Sequence, residues 1–309
     1  MSTAKEKVST TCSVKRPIEL RSIGFAFFTL VFMISLSAVI LEWIEFSLTT
    51  GPGRNFSHMV LIPFVSGFLF YQRRDQIFSR PRYSLFGGII PILVGVIFFY
   101  LASGDRFNVN DRLSLMMFST VVIWTGGFIL FYGLSALRAA LFPLLFLLFA
   151  VPIPNFIFDK IVVVLQQASV ELTALFLKGT GMPFLREGTY FLLPGYQIEI
   201  AKECGGIRSF LVLLIMSTLS GQLFLKTNGA RFALALAILP IAILQNGLRI
   251  TTLCVLGVYV HGSFLTSGTH YHMGDVYFVL ALLLLFLPTL WLLKKAETRK
   301  SVATDFCSD

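Results

Sequence analysis

The chain has 309 residues, 56% of them hydrophobic and only 13% charged, with a mean hydropathy of +0.80. A soluble domain of this length needs more polar surface than that. Apolar runs of about 20 residues recur, each long enough to cross roughly 30 Å of hydrocarbon. The composition therefore excludes a soluble enzyme and selects an all-α polytopic membrane protein. Unpaired backbone is costly in lipid, so the spans are expected to be helices; a barrel would show short alternating strands. The net charge of +9 does not point to nucleic acid, because no basic patch is interleaved with aromatics on a polar domain. Membrane topology accounts for it better.

In chain order, residues 1–22 form a basic tail, 23–293 one polytopic membrane domain, and 294–309 a second polar tail. The first apolar run, 23–44, is too long for a signal-peptide core and lacks a small-residue cleavage site, which predicts a retained helix. Further spans are expected at 57–71, 84–101, 113–132, 137–152, 204–224, 232–249 and 275–293, about eight in all. Eight spans place both termini on one side. That side carries 16 of the 25 Lys and Arg residues, in the tails and around 73–82, 138 and 226–231. The positive-inside rule makes it the cytoplasm, with Cys204 outside.

Two segments interrupt this rhythm. "PIPNF" at 152–156 breaks helix, and the following 157–178 mixes Lys160, Gln166, Gln167, Glu171 and Lys178 with apolar residues. The mixture predicts an extracytoplasmic helix lying on the membrane surface or packed against the bundle. Next, "FLREGTYFLLPGYQIEIAKE" reads as a short β-hairpin about Pro194-Gly195, which delivers the chain to Cys204. The second segment, about 250–274, is semi-polar, and its path is left open between re-entrant and interfacial.

Three polar groups stand out against this background. Cys204, in "KECGGIRS", is placed by the pattern in the first turn of a helix, where the dipole and unpaired N–H groups favour a thiolate. Arg208 would lie one turn along the same face. Gly205 and Gly206 would leave room for a substrate backbone. The bland alternative is a small buried cysteine with Arg208 as an interfacial anchor. In "QNGLRI", Asn246 and Arg249 share a helix face at the end of an apolar run. A guanidinium at that depth is a functional candidate unless it merely anchors the helix end. In "GTHYHMGD", His270 and His272 precede the last span, and an imidazole there can move protons; solvated loop histidines are the alternative. H-x-H without H-E-x-x-H is weak evidence for zinc, and the four cysteines have no short-spaced pairing. No metal or cofactor is expected. The topology puts Cys204, Arg249 and His270 on one side of the membrane. A thiolate, a cation and an imidazole together make a cysteine acyl-transfer site.

The order P-x-P, polar helix, "REG", hairpin, "CGGIRS", "NGLRI" and "H-x-x-x-G" resembles the exosortase/archaeosortase family of membrane transpeptidases over about 150–285. The resemblance implies Cys204 as nucleophile, Arg249 as stabiliser of the developing oxyanion and His270 as general acid/base, with His272 as its competitor. Gly205, Gly206, Arg208 and Asn246 support them. Gly205 stands where the family more often has Ser or Ala. The histidine, where archaeal members tend to have arginine, is similar to the bacterial branch, which implies a bacterial inner membrane. The implied substrates are secreted proteins with a C-terminal Pro-Glu-Pro motif, a transmembrane helix and a basic tail. They are cleaved near the motif through a thioester and passed to an acceptor whose identity the sequence does not give. A transporter or channel would instead cluster polar groups at the midplane, and an intramembrane metalloprotease would bind zinc.

Overall fold

The computed structural model describes residues 16–48, 52–79, 83–104, 106–260, 262 and 269–306, with side chains throughout except at 16–19, 52–55, 203, 269–273 and 299–306. The chain forms two compact units, Met1–Pro154 and Asn155–Asp309.

The first unit is helical: α1 (Arg16–Ser35), α2 (Ser37–Leu48), a 3₁₀ segment (Pro52–Leu61) running into α3 (Ile62–Gln72), the single turn α4 (Arg74–Ile77), α5 (Leu85–Ala102) and α6 (Val109–Leu147). Helices α1 and α2 form one apolar pair bent by 66°, so the run expected as a single span at 23–44 is broken. Helix α6 starts on Asn108, whose side chain accepts the Asp111 N–H at 2.9 Å, a standard N-cap. At 1.5 Å per residue α6 is about 58 Å long, nearly twice the hydrocarbon thickness. It is interrupted at Gly133, with φ 82° and ψ 177°, a conformation that side chains resist. Close packing of α5 on α6 depends on missing side chains: a Cβ on Gly126 would lie 2.9 Å from both the Gly88 carbonyl and the Ile92 amide. Small residues bring apolar helices together in this way where lipid supplies no hydrophobic drive. Aromatic rings of Phe25, Phe70, Phe78 and Trp124 surround buried Phe128 and Tyr132.

The second unit begins with α7 (Asn155–Thr180). A three-stranded antiparallel sheet follows, with strands β1 (Leu185–Glu187), β2 (Tyr190–Leu193) and β3 (Tyr196–Glu199) in the order β1-β2-β3. A 3₁₀ turn at Lys202–Gly205 leads into α8 (Ile207–Phe224) and α9 (Asn228–Tyr259). After the undescribed 263–268 come α10 (Thr269–Ala281), a π turn at Leu282–Phe286, and α11 (Leu287–Phe306). The expected hairpin about Pro194-Gly195 is present as β2–β3, with Leu193 opposite Tyr196 and Gly195 at φ 79°. Strand β1, which pairs Glu187 with Tyr190, adds a third member. Its three residues, Leu-Arg-Glu, carry too little β signal to be read as a strand alone.

Helices α7 and α9 run parallel. Ser169 meets Asn246, Leu172 lies against Gly247, and further along Ala174 and Leu177 share one core with Ile250 and Cys254. Asn155 precedes Ser169 by about 21 Å of helix, so α7 starts at the level of the α8–α9 turn and not beside Cys204. The placement of all of 153–203 at the Cys204 end therefore fails for the first half of α7. Its polar residues made it look superficial, but Gln166, Ser169 and Thr173 are turned inward and buried. Helix α9 also continues to Tyr259, ten residues past the expected end at 249. This extension, with the second half of α7, carries the sheet: Phe191, Leu193 and Ile200 are buried against Leu177 and Cys254.

Among the described residues six helices are long and apolar enough to cross a membrane: Leu85–Ala102, Val109–Ala150, Asn155–Thr180, Ile207–Phe224, Asn228–Tyr259 and Gly274–Thr298. The bent pair α1–α2 makes a seventh if it counts as one span. The helical, multi-pass architecture holds, while the count of about eight becomes six to seven. The expected spans 113–132 and 137–152 are the two parts of α6 on either side of Gly133. The run 57–71 falls in a shorter apolar helix, Phe56–Gln72.

Candidate functional site

Cys204 lies in the 3₁₀ turn, not in α8. Gly206, at φ 77°, is the N-cap of α8 and turns the chain between thiol and helix. The expected position in the first helical turn is thus corrected, because a left-handed residue at 206 cannot continue a right-handed helix backwards. Arg208 is exposed on α8, and it shares no helix face with Cys204.

The turn is fastened at both ends by amides from neighbouring helices. Gln166 Nε2 on α7 donates to the Ile200 carbonyl at 2.6 Å. Asn246 Nδ2 on α9 donates to the Cys204 carbonyl at 2.8 Å and to Ser169 Oγ at 3.0 Å. All three side chains are buried, where such bonds are costly to lose. The glycines serve this fastening. A Cβ on Gly206 would meet Asn246 Cγ at 3.0 Å, and one on Gly205 would lie 3.4 Å from the Gln166 backbone nitrogen. The space they vacate is filled by the protein, so the expectation that it admits a substrate backbone is not met.

The two positions differ in tolerance. Gly206→Ala is expected to cost about 1–2 kcal/mol from the left-handed backbone alone, besides displacing Asn246. Gly205→Ala makes an ordinary contact and should stay within about 0.5 kcal/mol. Thermal unfolding of both variants in detergent checks this ranking, and a larger loss at 205 would contradict the geometry.

The Cys204 side chain is half-buried, one flank packed on the Val170–Leu177–Cys254 core. Half-buried Arg249, one turn beyond Asn246 on α9, interacts electrostatically with both Cys204 and Asp275. Its Nη1 lies 3.5 Å from where a Cβ on Gly274 would stand. The structure thus brings Cys204, Asn246, Arg249 and Gly274 together. The side chains of His270 and His272 lie outside the described residues. Their backbone is in α10, where residues four apart share a face and residues two apart are turned by about 200°. Position 270 therefore lies on the Gly274 side of the helix and position 272 away from it.

Gln166 and Ser169 were not singled out from the sequence. The available signal was their spacing with Thr173, at i, i+3 and i+7 on an otherwise apolar helix, which makes a polar stripe facing a partner. Tyr277, whose hydroxyl donates to Thr252 Oγ1 at 2.5 Å, was also missed. Gln245, one turn before Arg249, is 3% exposed; its Oε1 accepts no hydrogen bond from a described residue. An open cavity of about 490 Å³ between α7 and the β1–β2 turn, lined in part by Gln167, Glu171, Arg186 and Thr189, does not include Cys204 or Arg249.

Fold and site together define a multi-pass helical membrane protein. It holds a half-buried thiol beside a guanidinium, about one hydrocarbon thickness along α9 from the α8–α9 turn. The chain belongs to the transmembrane exosortase family (Exosortase_EpsH), whose match covers residues 43–287. Comparison with curated proteins and with solved structures finds no match.

Proposed function

We propose that the chain is a thiol transpeptidase of the outer membrane face, acting on secreted proteins whose C-terminal signal combines a Pro-Glu-Pro motif, a transmembrane helix and a basic tail. The observation that carries this is the electrostatic interaction of Arg249 with Cys204, which lies on a turn held by Asn246 and Gln166. Cys204 as thiolate attacks the scissile carbonyl, and Arg249 holds the negative charge that develops on its oxygen. When the C–N bond breaks, His270 as imidazolium gives its proton to the leaving amine, which leaves a thioester. An acceptor amine or water, deprotonated by His270, then attacks the thioester and releases the thiolate. The α10 register supports His270 over His272 for this work.

Charge supports the orientation. The turn at the far end of α8 and α9 carries Lys226 and Arg231. Near it, Glu297 of α11 accepts the Lys226 and Thr227 amides, and Lys294 stands over the Phe224 ring at 5.6 Å. A basic end with interfacial aromatics favours the cytoplasmic side by the positive-inside rule, which supports the reading of Cys204 as outside.

The test is co-expression with a secreted protein bearing the tripartite signal, following its tail on gels and by mass spectrometry. The expected result is loss of the tail from the exported protein only, abolished by His270→Ala and largely retained in His272→Ala. Tail removal from a substrate whose export is blocked would overturn the outer-face placement. The reverse ranking of the two variants would transfer the proton-moving role to His272.

A further inference from the structure

Strand β3 runs directly into the Cys204 turn and is an edge strand of the sheet. Among the described residues it pairs with β2 alone. Ile200 N–H donates to the Thr189 carbonyl at 3.0 Å, and Ile198 and Tyr196 stand opposite Phe191 and Leu193. In an antiparallel ladder the hydrogen-bonded pairs alternate, so residues 196, 198 and 200 direct their backbone groups to β2. Gln197 and Glu199 direct theirs outward, and both residues are exposed. An open edge is a template for another extended chain. This one is anchored, because Ile198 packs partly buried against the α7–α9 core and the Ile200 carbonyl just beyond the strand is held by Gln166.

We infer that the β3 edge receives the Pro-Glu-Pro segment of the substrate as an added parallel strand, an inference that rests on the function proposed above. Direction comes from the chain itself: β3 leads to Cys204 and then into α8, as the substrate's motif leads to its scissile bond and then into its helix. In parallel pairing one residue of the incoming strand bonds to two edge residues. The motif's glutamate donates its N–H to the Gln197 carbonyl and accepts the Glu199 N–H at its own carbonyl. The flanking residues turn their backbone away, which suits prolines because they have no N–H to offer. A strand of this kind is also closed to further pairing on its far side. Lys202 and Arg208, both exposed on either side of Cys204 in sequence, complement an acidic segment. The edge of β1 has no such continuity, since it leads away from Cys204 and its Arg186 is bound in a bidentate pair to Glu171.

Two measurements test the edge. Glu199→Pro removes the outward N–H and no main-chain bond to β2. It also removes the carboxylate bonded to the Tyr190 hydroxyl, which Glu199→Ala removes by itself. Relative to Glu199→Ala it is expected to slow tail removal by about tenfold, as one lost main-chain hydrogen bond implies, at unchanged membrane level. A photo-crosslinking amino acid at Gln197, in protein also carrying Cys204→Ala, is expected to capture the substrate at its Pro-Glu-Pro motif. Equal processing by Glu199→Pro and Glu199→Ala, or crosslinks to the substrate helix or to no substrate, would overturn the proposal. Wild-type protein separates the two ideas. If it removes no tail, the proposed function fails, and the crosslink alone then decides whether the edge binds the motif.

Discussion

Cys204→Ala is expected to abolish tail removal, on the order of 10⁴-fold or more, as loss of a nucleophile does in enzymes that form an acyl intermediate. Protein level and membrane insertion should stay near normal. The asymmetry follows from the position of the residue. Its backbone carbonyl, held by Asn246, and its backbone N–H, bonded to the Ala201 carbonyl at 2.9 Å, are both kept in the alanine variant. Only a half-buried sulfur on the edge of the core is lost, which costs about 1 kcal/mol. Cys204→Ser should be nearly as inactive, since a hydroxyl is far less ionised than a thiol near neutral pH. Quantifying processed and unprocessed substrate at matched enzyme levels checks both variants. Normal processing by the alanine variant would end the acyl-transfer reading.

Arg249→Lys should fail nearly as badly as Arg249→Ala, with a loss of about 10²–10³ in turnover, the scale of one missing oxyanion donor. Arg249 interacts electrostatically with Cys204 and Asp275, and its Nη1 lies against Gly274. A planar fork can direct donors to two partners at once, whereas an ammonium on a flexible stem acts as a point charge. Single-turnover measurements on purified enzyme separate this loss from weaker binding: the rate at saturating substrate should fall, with little change in the concentration needed for saturation. Near-normal turnover by the lysine variant would reduce Arg249 to a generic charge.

Both predictions use residues legible in the sequence, because Cys204 and Arg249 are polar groups at the ends of apolar runs and that contrast needs no structure to see. Asn246 was legible for the same reason, though not its task. Its amide is three residues from Arg249 on one helix, but nothing in that spacing says it reaches across to a carbonyl 42 residues earlier in the chain. Gln166 and Ser169 were harder still, because among Lys160, Gln167 and Glu171 they read as one more solvated face. Their inward direction depends on where α9 lies.

The sequence by itself determined the membrane class, the helical architecture, the β2–β3 hairpin and the family. These follow from local quantities: the length of apolar runs, a Pro-Gly turn and short motifs with their order. Only the tertiary structure decided that α7 runs beside α9 from the level of the α8–α9 turn, that Gly206 sets Cys204 outside α8, and that the glycines receive Gln166 and Asn246. Such outcomes depend on which faces pack together. Burial is gained by pairing α7 with α9, and the polar stripe on α7 becomes acceptable only because α9 and the Cys204 turn satisfy it.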